Sequence, residues 1–320
     1  MTKTKLKRLK NELGNHVLES TWVQSFITYT KRAALPGFDN MPIFSVAHFF
    51  FTGIKKGAIV TRAQALAFSF FLALFPAIIF LFSLIPYIPI KNFQNQLLEL
   101  IESVLPSNAY EGARITIIDI VKIHHGGLLS FGFFSALYFT TNGFMTLMRG
   151  FNSSYHASET RTPFRQRIVA IVLTIILSIL VLIATALIIF SSLATSKLVY
   201  HSILKSKTQI ALVLIGKWVI VLALFFTAIS FLYYYAPSVK KRWRFISAGS
   251  TFATLMSILV STGFAYFVNN FGSYNKIYGS IGTLIVVMLW MYFNSLILIL
   301  GFELNSSIDN AKKKQSLQKK

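Results

Sequence analysis

A single lysine, Lys217, lies inside a long apolar stretch of the sequence. If the stretch is helical, Lys217 stands about eight residues, or roughly 12 Å, from its nearer end. An ionisable side chain in such a position often binds an anion or lines a solute path. Its stem can also reach the membrane interface, where Trp218 beside it would fit. The sequence leaves both interpretations open.

Two asparagines lie in other apolar stretches. Asn142 follows Thr140 and Thr141, and Asn294 lies in the last apolar stretch. Amides and hydroxyls in such places either bond a neighbouring helix or face a polar path. We predict that Asn142, Lys217 and Asn294 line a pathway or cavity, with helix–helix contacts as the alternative.

A third polar group occupies the connection before the last apolar stretch, which reads NNFGSYNKIYGSIG at 269–282. Tyrosine favours the depth of the lipid headgroups, and Asn and Gly tolerate the left-handed backbone of a tight reversal. The connection holds more polar side chains than a turn needs. We therefore predict that Tyr274, Asn275 and Tyr278 face the outer mouth of the helical bundle.

Catalytic and metal-binding patterns are not found in the sequence. The six histidines form no HExxH pair, and there is no GxSxG, no phosphate-binding glycine loop and no cysteine. None of the ten acidic residues has a histidine or serine at a spacing that indicates a nucleophile and its base. We predict no catalytic residue, no metal and no cofactor. A membrane-bound hydrolase is kept as a third alternative.

The composition indicates a membrane protein. Hydrophobic residues make up 54% of the chain and charged residues 13%, whereas about a quarter of the residues of a soluble domain are charged. A membrane-spanning helix needs roughly 20 mostly apolar residues. Six stretches meet this condition, namely 63–88, 127–148, 168–194, 209–235, 245–268 and 280–303.

The positions of the 31 Lys and Arg residues predict the orientation. One set of alternate connections holds 23 of them, the other set holds seven, and the last is Lys217. Since basic loops stay in the cytoplasm, both termini are predicted to be cytoplasmic. The net charge of +21 then follows from topology and not from nucleic-acid binding. The expected partners are anionic lipid headgroups at the cytoplasmic face, and a homo-oligomer is also considered.

The predicted fold class is all-α: a polytopic membrane protein with a bundle of six transmembrane helices, an interfacial helix and an outer helical cap. Residues 1–60 are predicted to form a cytoplasmic arm, 61–305 the transmembrane domain with the cap at 91–126, and 306–320 a basic tail. Apolar residues recur at helical spacing in 42–57, which predicts the interfacial helix. The alternative is an amphipathic helix packed on the protein's own cytoplasmic face.

The first and last spans carry residues that favour close packing. Pro76 lies inside the first span and predicts a kink. Glycines in the last span allow a neighbouring backbone to approach, and the acid near its end can reach water or a basic loop. The packing residues predicted in the last span are Gly279, Gly282, Gly301, Glu303 and Asn305.

The connection at 149–167 carries a polar motif. Basic residues are required there by the predicted topology, and Glu159, the only acid of the loop, could pair with one of its arginines. The residues of this motif are Arg149, Asn152, Tyr155, Glu159 and Arg161.

Three segments together carry a family resemblance. They read ALAFSFFLALFP at 65–76, LMRGFNSSYHASETRTPFRQR at 147–167, and YYYAP at 233–237, followed by KRWR at 241–244 and YNKIYGSIGTLIVVMLWMYFNSLILILGFELN at 274–305. In this order and spacing they resemble the YihY/virulence-factor BrkB family. The resemblance implies a six-span protein of the bacterial inner membrane. The ribonuclease label once given to that family conflicts with this sequence, which lacks a metal-hydrolase pattern.

The function predicted from these observations is a transporter-like envelope protein for a lipid, an amphiphile or a small solute. The alternative is a non-transporting membrane scaffold that binds envelope partners. A cavity lined by Asn142, Lys217 and Asn294 would favour transport, whereas a dry, close-packed bundle would favour the scaffold.

Overall fold

The computed structural model describes residues 28–31, 33–35, 37–56, 58–88, 92–104, 107–154, 159–200, 207–238, 245–270 and 280–318. A 3-10 turn, Ile85–Tyr87, directly follows the helix that ends at Leu84. The helices are α1 (Ile43–Lys56), α2 (Ile59–Leu84), α3 (Phe93–Val104), α4 (Ser107–Lys122), α5 (Gly126–Ser154), α6 (Pro163–Tyr200), α7 (Lys207–Tyr235), α8 (Ala248–Asn270) and α9 (Ser280–Gln318).

Six of these helices form a ring. Each of α2, α5, α6, α7, α8 and α9 packs on the next in that order, and α9 returns to pack on α2. Within the described ranges, α2, α6, α7, α8 and α9 are long and apolar enough to cross a membrane. The remaining member of the ring, α5, has 29 residues and carries the polar group around Asn142. The prediction of an all-α polytopic membrane protein is confirmed.

The two ends of the bundle differ. At one end, named the cap side, α3 and α4 pack on the 3-10 turn, and Ile85, Leu98 and Val121 are buried together. The other end, named the tail side, holds the start of α2 and the C-terminal part of α9. The predicted helical cap at 91–126 therefore consists of α3 and α4.

Burial is concentrated at the tail side. The main core contains, among others, Leu66 of α2, Phe151 of α5, Leu173 of α6, Tyr233 of α7 and Ile299 of α9. Four of them lie in the tail-side halves of their helices, and Ile299 lies at the middle of α9. In the cap-side halves large apolar side chains are exposed, as at Phe131, Phe134, Val219, Leu259 and Tyr266. Apolar side chains are also exposed in the tail-side halves, as at Phe164 and Leu255. The two halves therefore differ in the buried core and not in the surface that they offer to lipid.

One helix pair stays close over its whole length. On α5, a side chain at Gly132 would meet the backbone of Phe80 on α2 at 2.8 Å, and one at Gly143 would meet the ring of Phe70 at the same distance. Small residues let two helices approach in this way without a hydrophobic driving force from water. The α2–α5 pair therefore forms a wall that joins the two sides of the bundle.

Helix α1 lies at the tail side against α9. Val46 is 1% exposed and packs with Ile308 and Ala311 of α9. Two positions were predicted for this helix, one at the membrane interface and one against the protein itself. The face that carries Val46 packs against the protein. Phe44 and Phe51 on another face of α1 remain exposed.

The last helix is longer than a membrane span. Its 39 residues correspond to about 58 Å, compared with about 30 Å of hydrocarbon. It continues through the boundary predicted at 305 and ends at Gln318. Ser307, Ile308 and Ala311 are buried, whereas 312–318 are exposed, so the first part of the segment predicted as a basic tail packs against the bundle and the rest does not.

Helices α8 and α9 cross at two glycines. A side chain at Gly249 would overlap the carbonyl oxygen of Gly301 and come within 2.6 Å of Asn305 Cγ. A side chain at Gly301 would meet Ala253 Cβ at 2.9 Å. Backbone contact of this kind requires both residues to lack a Cβ atom, which gives Gly301 its role in packing.

Replacing Gly249 by Ala is expected to lower the thermal unfolding midpoint of the detergent-solubilised protein by several degrees. Its Cβ would push α8 and α9 apart against a backbone that cannot give way. Gly263 of the same helix has no atom within 4 Å of its Cβ position, so G263A is the matched control. Because Ala favours helix over Gly by about 1 kcal/mol, G263A should leave the midpoint unchanged or raise it. Equal midpoints for the two variants would contradict the glycine crossing.

Candidate functional site at the tail side

A buried ion pair connects the first and last spans. Arg62 of α2 and Glu303 of α9 lie with Nη2 and Oε2 3.6 Å apart, and their side chains are 11% and 6% exposed. The other guanidinium nitrogen, Nη1, donates to the carbonyl of Gly150 at 2.7 Å and to Ser154 Oγ at 2.9 Å. Arg62 therefore joins α2, α5 and α9 at one point.

Three polar atoms of this ion pair have no hydrogen-bond partner in the described part of the chain. Among the described residues, Arg62 Nε, Arg62 Nη2 and Glu303 Oε2 are buried without a hydrogen-bond partner. A buried pair with incomplete hydrogen bonding contributes little net stability, although removing one partner leaves an uncompensated charge.

The carboxylate of Glu303 also touches α1. A side chain at Gly53 would overlap Glu303 Oε1, so the backbone of α1 lies directly over the carboxylate. Glycine at this position lets α1 cover the ion pair from the tail side.

A second polar cluster lies in the loop between α5 and α6. Glu159 accepts hydrogen bonds from Asn152 Nδ2 at 2.7 Å and from Arg161 Nε and Nη2 at 2.8 and 2.9 Å. Arg161 Nη2 also donates to the carbonyl of Ala236, and the backbone N–H of Ser238 donates to Asn152 Oδ1. The loop is thereby bound to the tail-side end of α7.

The charge of Glu159 is stabilised by this cluster. Burial alone would raise the pKa of the carboxyl group. The side-chain and backbone hydrogen bonds and the positive charge of Arg161, together with the hydrogen bond from Asn152, outweigh burial and lower its pKa below the ordinary value of 4.5.

A third arginine binds the polar group of α5. Arg167 Nη1 of α6 donates to Thr141 Oγ1 at 2.7 Å and to Asn142 Oδ1 at 2.9 Å. Its guanidinium carbon lies 5.2 Å from the centre of the Tyr138 ring, within the range of a cation–π interaction. Thr141 and Asn142 thus hold α5 to α6.

Asn305 completes the tail-side network. Its Oδ1 accepts from the backbone N–H of Gly249 at 2.8 Å, and its Nδ2 donates to Ser247 Oγ at 2.9 Å. The first bond satisfies a backbone donor at the start of α8, where helix N–H groups have no intrahelical partner. Tyr233 OH, on α7, donates to the carbonyl of Leu298 on α9 at 2.7 Å.

Two cavities lie beside α9, toward the middle of the membrane. The first, of about 310 Å³, is bounded by α2, α5 and α9, and Thr140, Asn294 and Ser295 are among its polar lining residues. The second, of about 580 Å³, lies between α2 and α9, and is lined by Gln64 and Tyr292 together with apolar side chains. Both combine a mostly apolar wall with a few polar groups.

The predicted pathway residues have different surroundings. Asn294 lines the first cavity, Asn142 is bonded to Arg167, and the ammonium of Lys217 lies 5.5 Å from the centre of the Trp218 ring. The first cavity includes neither Asn142 nor Lys217, so the three residues do not share it. Tyr274, Asn275 and Tyr278 lie outside the described residues, and their predicted position at the outer mouth stays a prediction.

The other predicted residues, those of the loop motif and of helix packing, also have different surroundings. Asn152, Glu159 and Arg161 meet in the loop cluster, while Arg149 is exposed and Tyr155 lies outside the described residues. Gly301, Glu303 and Asn305 meet at the tail side. Pro76 is buried within α2, Gly282 is buried, and Gly279 lies outside the described part of the chain.

Several residues of the site were not predicted. Arg62 and Arg167 were counted only as charges that set the topology, although each lies at the first turns of a span, where a guanidinium can turn inward. Gly53 and Gly249 carried no signal apart from lacking a side chain. No group of three or more His, Cys, Asp or Glu residues that could hold a metal ion occurs in the described ranges.

Comparison with known proteins identifies the family. The model of the virulence factor BrkB family matches residues 50–320. The chain belongs to the virulence factor BrkB family. Among its relatives, YfkH of Bacillus subtilis (strain 168), whose name describes it as ribonuclease-like, is 32% identical over 79% of this chain and 91% of YfkH.

Other BrkB relatives match over shorter regions. A UPF0761 membrane protein of Tolumonas auensis is 32% identical over 25% of this chain and 26% of the relative. A UPF0761 membrane protein of Xanthomonas campestris pv. campestris (strain B100) is 31% identical over 27% and 20%. The chain thus aligns with about a quarter of these relatives' lengths. No solved structure matches the chain.

Replacing Arg62 or Glu303 alone is expected to cost roughly 3–5 kcal/mol of unfolding free energy, because the remaining charge is buried and unpaired. The double variant R62M/E303M should lose much less than the sum of R62M and E303M. Unfolding in detergent with increasing sodium dodecyl sulfate measures all three. K312M removes the exposed Lys312–Asp39 pair and should cost under about 1 kcal/mol. Additive effects at Arg62 and Glu303 would contradict a coupled pair.

Stability should depend on the ionisation of Glu159. Its lowered pKa means that the ionised carboxylate favours the folded state, so its contribution is present above about pH 4.5 and is lost as the pH falls through the lower folded-state value. E159Q should therefore lower the free energy of unfolding at pH 7 by about 2 kcal/mol. The difference in unfolding free energy between E159Q and wild type should shrink as the pH is lowered toward 3. E102Q, which changes an exposed carboxyl, is the control. A constant difference at all pH values would contradict the assignment.

Proposed function

We propose that this BrkB-family membrane protein is a transporter-like protein of the bacterial inner membrane that moves an amphiphile, meaning a lipid or a similar molecule with one polar and one apolar part. In this proposal the tail side, which holds the start of α2, the Glu159 loop and the C-terminal part of α9, faces the cytoplasm.

The observation that carries the proposal is the cavity bounded by α2, α5 and α9. Thr140, Asn294 and Ser295 place hydroxyl and amide groups in a wall that is otherwise mostly apolar. Asn294 Nδ2 already donates to the carbonyl of Trp290 at 2.9 Å, while its Oδ1 and the hydroxyls can accept a hydrogen bond from a polar headgroup. An amphiphile brings such a headgroup together with an apolar chain, and polar side chains in hydrocarbon favour a polar partner.

The uneven packing of the bundle supports the same proposal. The tail-side halves are closed by the core and by the networks of Arg62, Glu159 and Asn305, whereas the cap-side halves contain few buried side chains. An amphiphile in the membrane can approach the cavity between the cap-side halves. Passage to the other side would then require the tail-side contacts, including the Arg62–Glu303 pair, to rearrange.

Reconstitution in liposomes tests the proposal. Purified protein is inserted into vesicles with fluorescent phospholipids, and transfer between leaflets is followed by chemical reduction of the outer fluorophores. A parallel set of vesicles is loaded with small solutes and ions. The expected result is faster lipid transfer than in protein-free vesicles. Failure to move any of these molecules would overturn the proposal and favour the membrane scaffold.

Variants of the cavity sharpen this test. N294L and T140L remove its polar groups and are expected to reduce the transfer rate about tenfold, which corresponds to about 1.4 kcal/mol of barrier. T251L makes the same Thr-to-Leu change at an exposed position of α8 and should keep the wild-type rate. Equal rates for T140L and T251L would exclude the cavity as the transport route.

A further inference from the structure

A groove between α6, α7 and α8 lies on a different face of the bundle from the two cavities beside α9. It has a volume of about 620 Å³ and shares no residue with the two cavities beside α9. Its lining is apolar apart from the indole of one tryptophan, Trp218. The lining residues used below are Ala184 of α6, Ile215, Trp218 and Ala228 of α7, and Ile258 of α8.

The groove has the length of a lipid chain. On α7 it extends from Ile215 to Ala228, which is about 20 Å along the helix axis. One leaflet contributes about 15 Å of the hydrocarbon thickness. An acyl chain that enters from the cap-side leaflet can therefore lie along most of the groove.

A positive charge marks the cap-side end of this groove. Lys217 is next to Trp218, and its ammonium lies 5.5 Å from the centre of that ring. It is the only charged residue in 168–196, 208–235 and 248–270, which include the membrane-crossing parts of α6, α7 and α8. Within the described ranges it forms no ion pair with an acidic side chain.

An ammonium in this position needs an anionic partner. A lysine within the hydrocarbon is costly unless it pairs or reaches the interface. The phosphate of a lipid whose acyl chain fills the groove would lie at the end where Lys217 is found. Zwitterionic lipids carry a positive group that opposes this contact, whereas phosphatidylglycerol carries a net negative charge.

We propose that the groove between α6, α7 and α8 is a binding site for an anionic phospholipid of the cap-side leaflet, with its acyl chain along Ile215–Ala228 and its phosphate on Lys217. The site does not depend on the proposed transport function, since it uses other residues and its test measures binding alone.

Quenching of Trp218 by brominated lipids tests this site. The variant W22F/W243F/W290F keeps Trp218 as the chain's only tryptophan and is reconstituted in vesicles of phosphatidylcholine. Part of this lipid is replaced by phosphatidylglycerol or phosphatidylcholine with the same brominated chains. The expected relative association constant is about fivefold higher for phosphatidylglycerol, as one basic residue near anionic headgroups would give.

Two further variants separate the headgroup contact from the chain contact. K217Q should reduce the ratio of the association constants for phosphatidylglycerol and phosphatidylcholine to about one. K122Q, at an exposed lysine of α4, should keep the wild-type ratio. A184F fills the groove and should reduce quenching by both brominated lipids. Equal association constants for the two lipids, or an unchanged preference in K217Q, would overturn the proposal.

Discussion

The Arg62–Glu303 contact joins the first span of the ring to the last. A ring of helices in lipid has no hydrophobic force that closes it, because lipid tails are as apolar as the side chains they touch. Closure therefore depends on polar contacts and on close packing. Arg62 supplies the first by reaching α5 and α9 together, and the glycine crossing of α8 and α9 supplies the second.

The other polar groups of the tail side follow from the same constraint. Each of them connects helices that are neighbours in the ring: Arg167 connects α6 to α5, Asn305 connects α9 to α8, and the Glu159 loop reaches the end of α7. Because these bonds lie on one side of the membrane, the other halves of the helices are held mainly by apolar contacts. That difference leaves room for cavities and grooves toward the cap side while the tail side remains closed.

Much of the fold could be predicted from the sequence, because length and apolar composition determine whether a helix can span a membrane. The six spans, the cap and the amphipathic character of α1 are local properties of this kind. The Glu159–Arg161 pair was also within reach, since its members are two residues apart. The partners of Arg62 and Asn142 were not, because Glu303 and Arg167 lie on other helices. A basic residue at the end of a span gives the same topological signal whether it faces water or a buried carboxylate.

Helix α9 is continuous, and at Gly301 its backbone touches that of α8. From this point about 21 residues, or roughly 31 Å, extend to Ser280, and about 25 Å extend to Gln318. The crossing therefore lies near the middle of α9 and can act as a pivot for this helix. A tilt of about 10° would move the Ser280 end by about 5 Å and swing the Ile308–Lys312 end in the opposite direction. Since α1 rests on that shorter arm, a displacement of α1 and a change in the width of the cavities beside α9 would be one and the same motion.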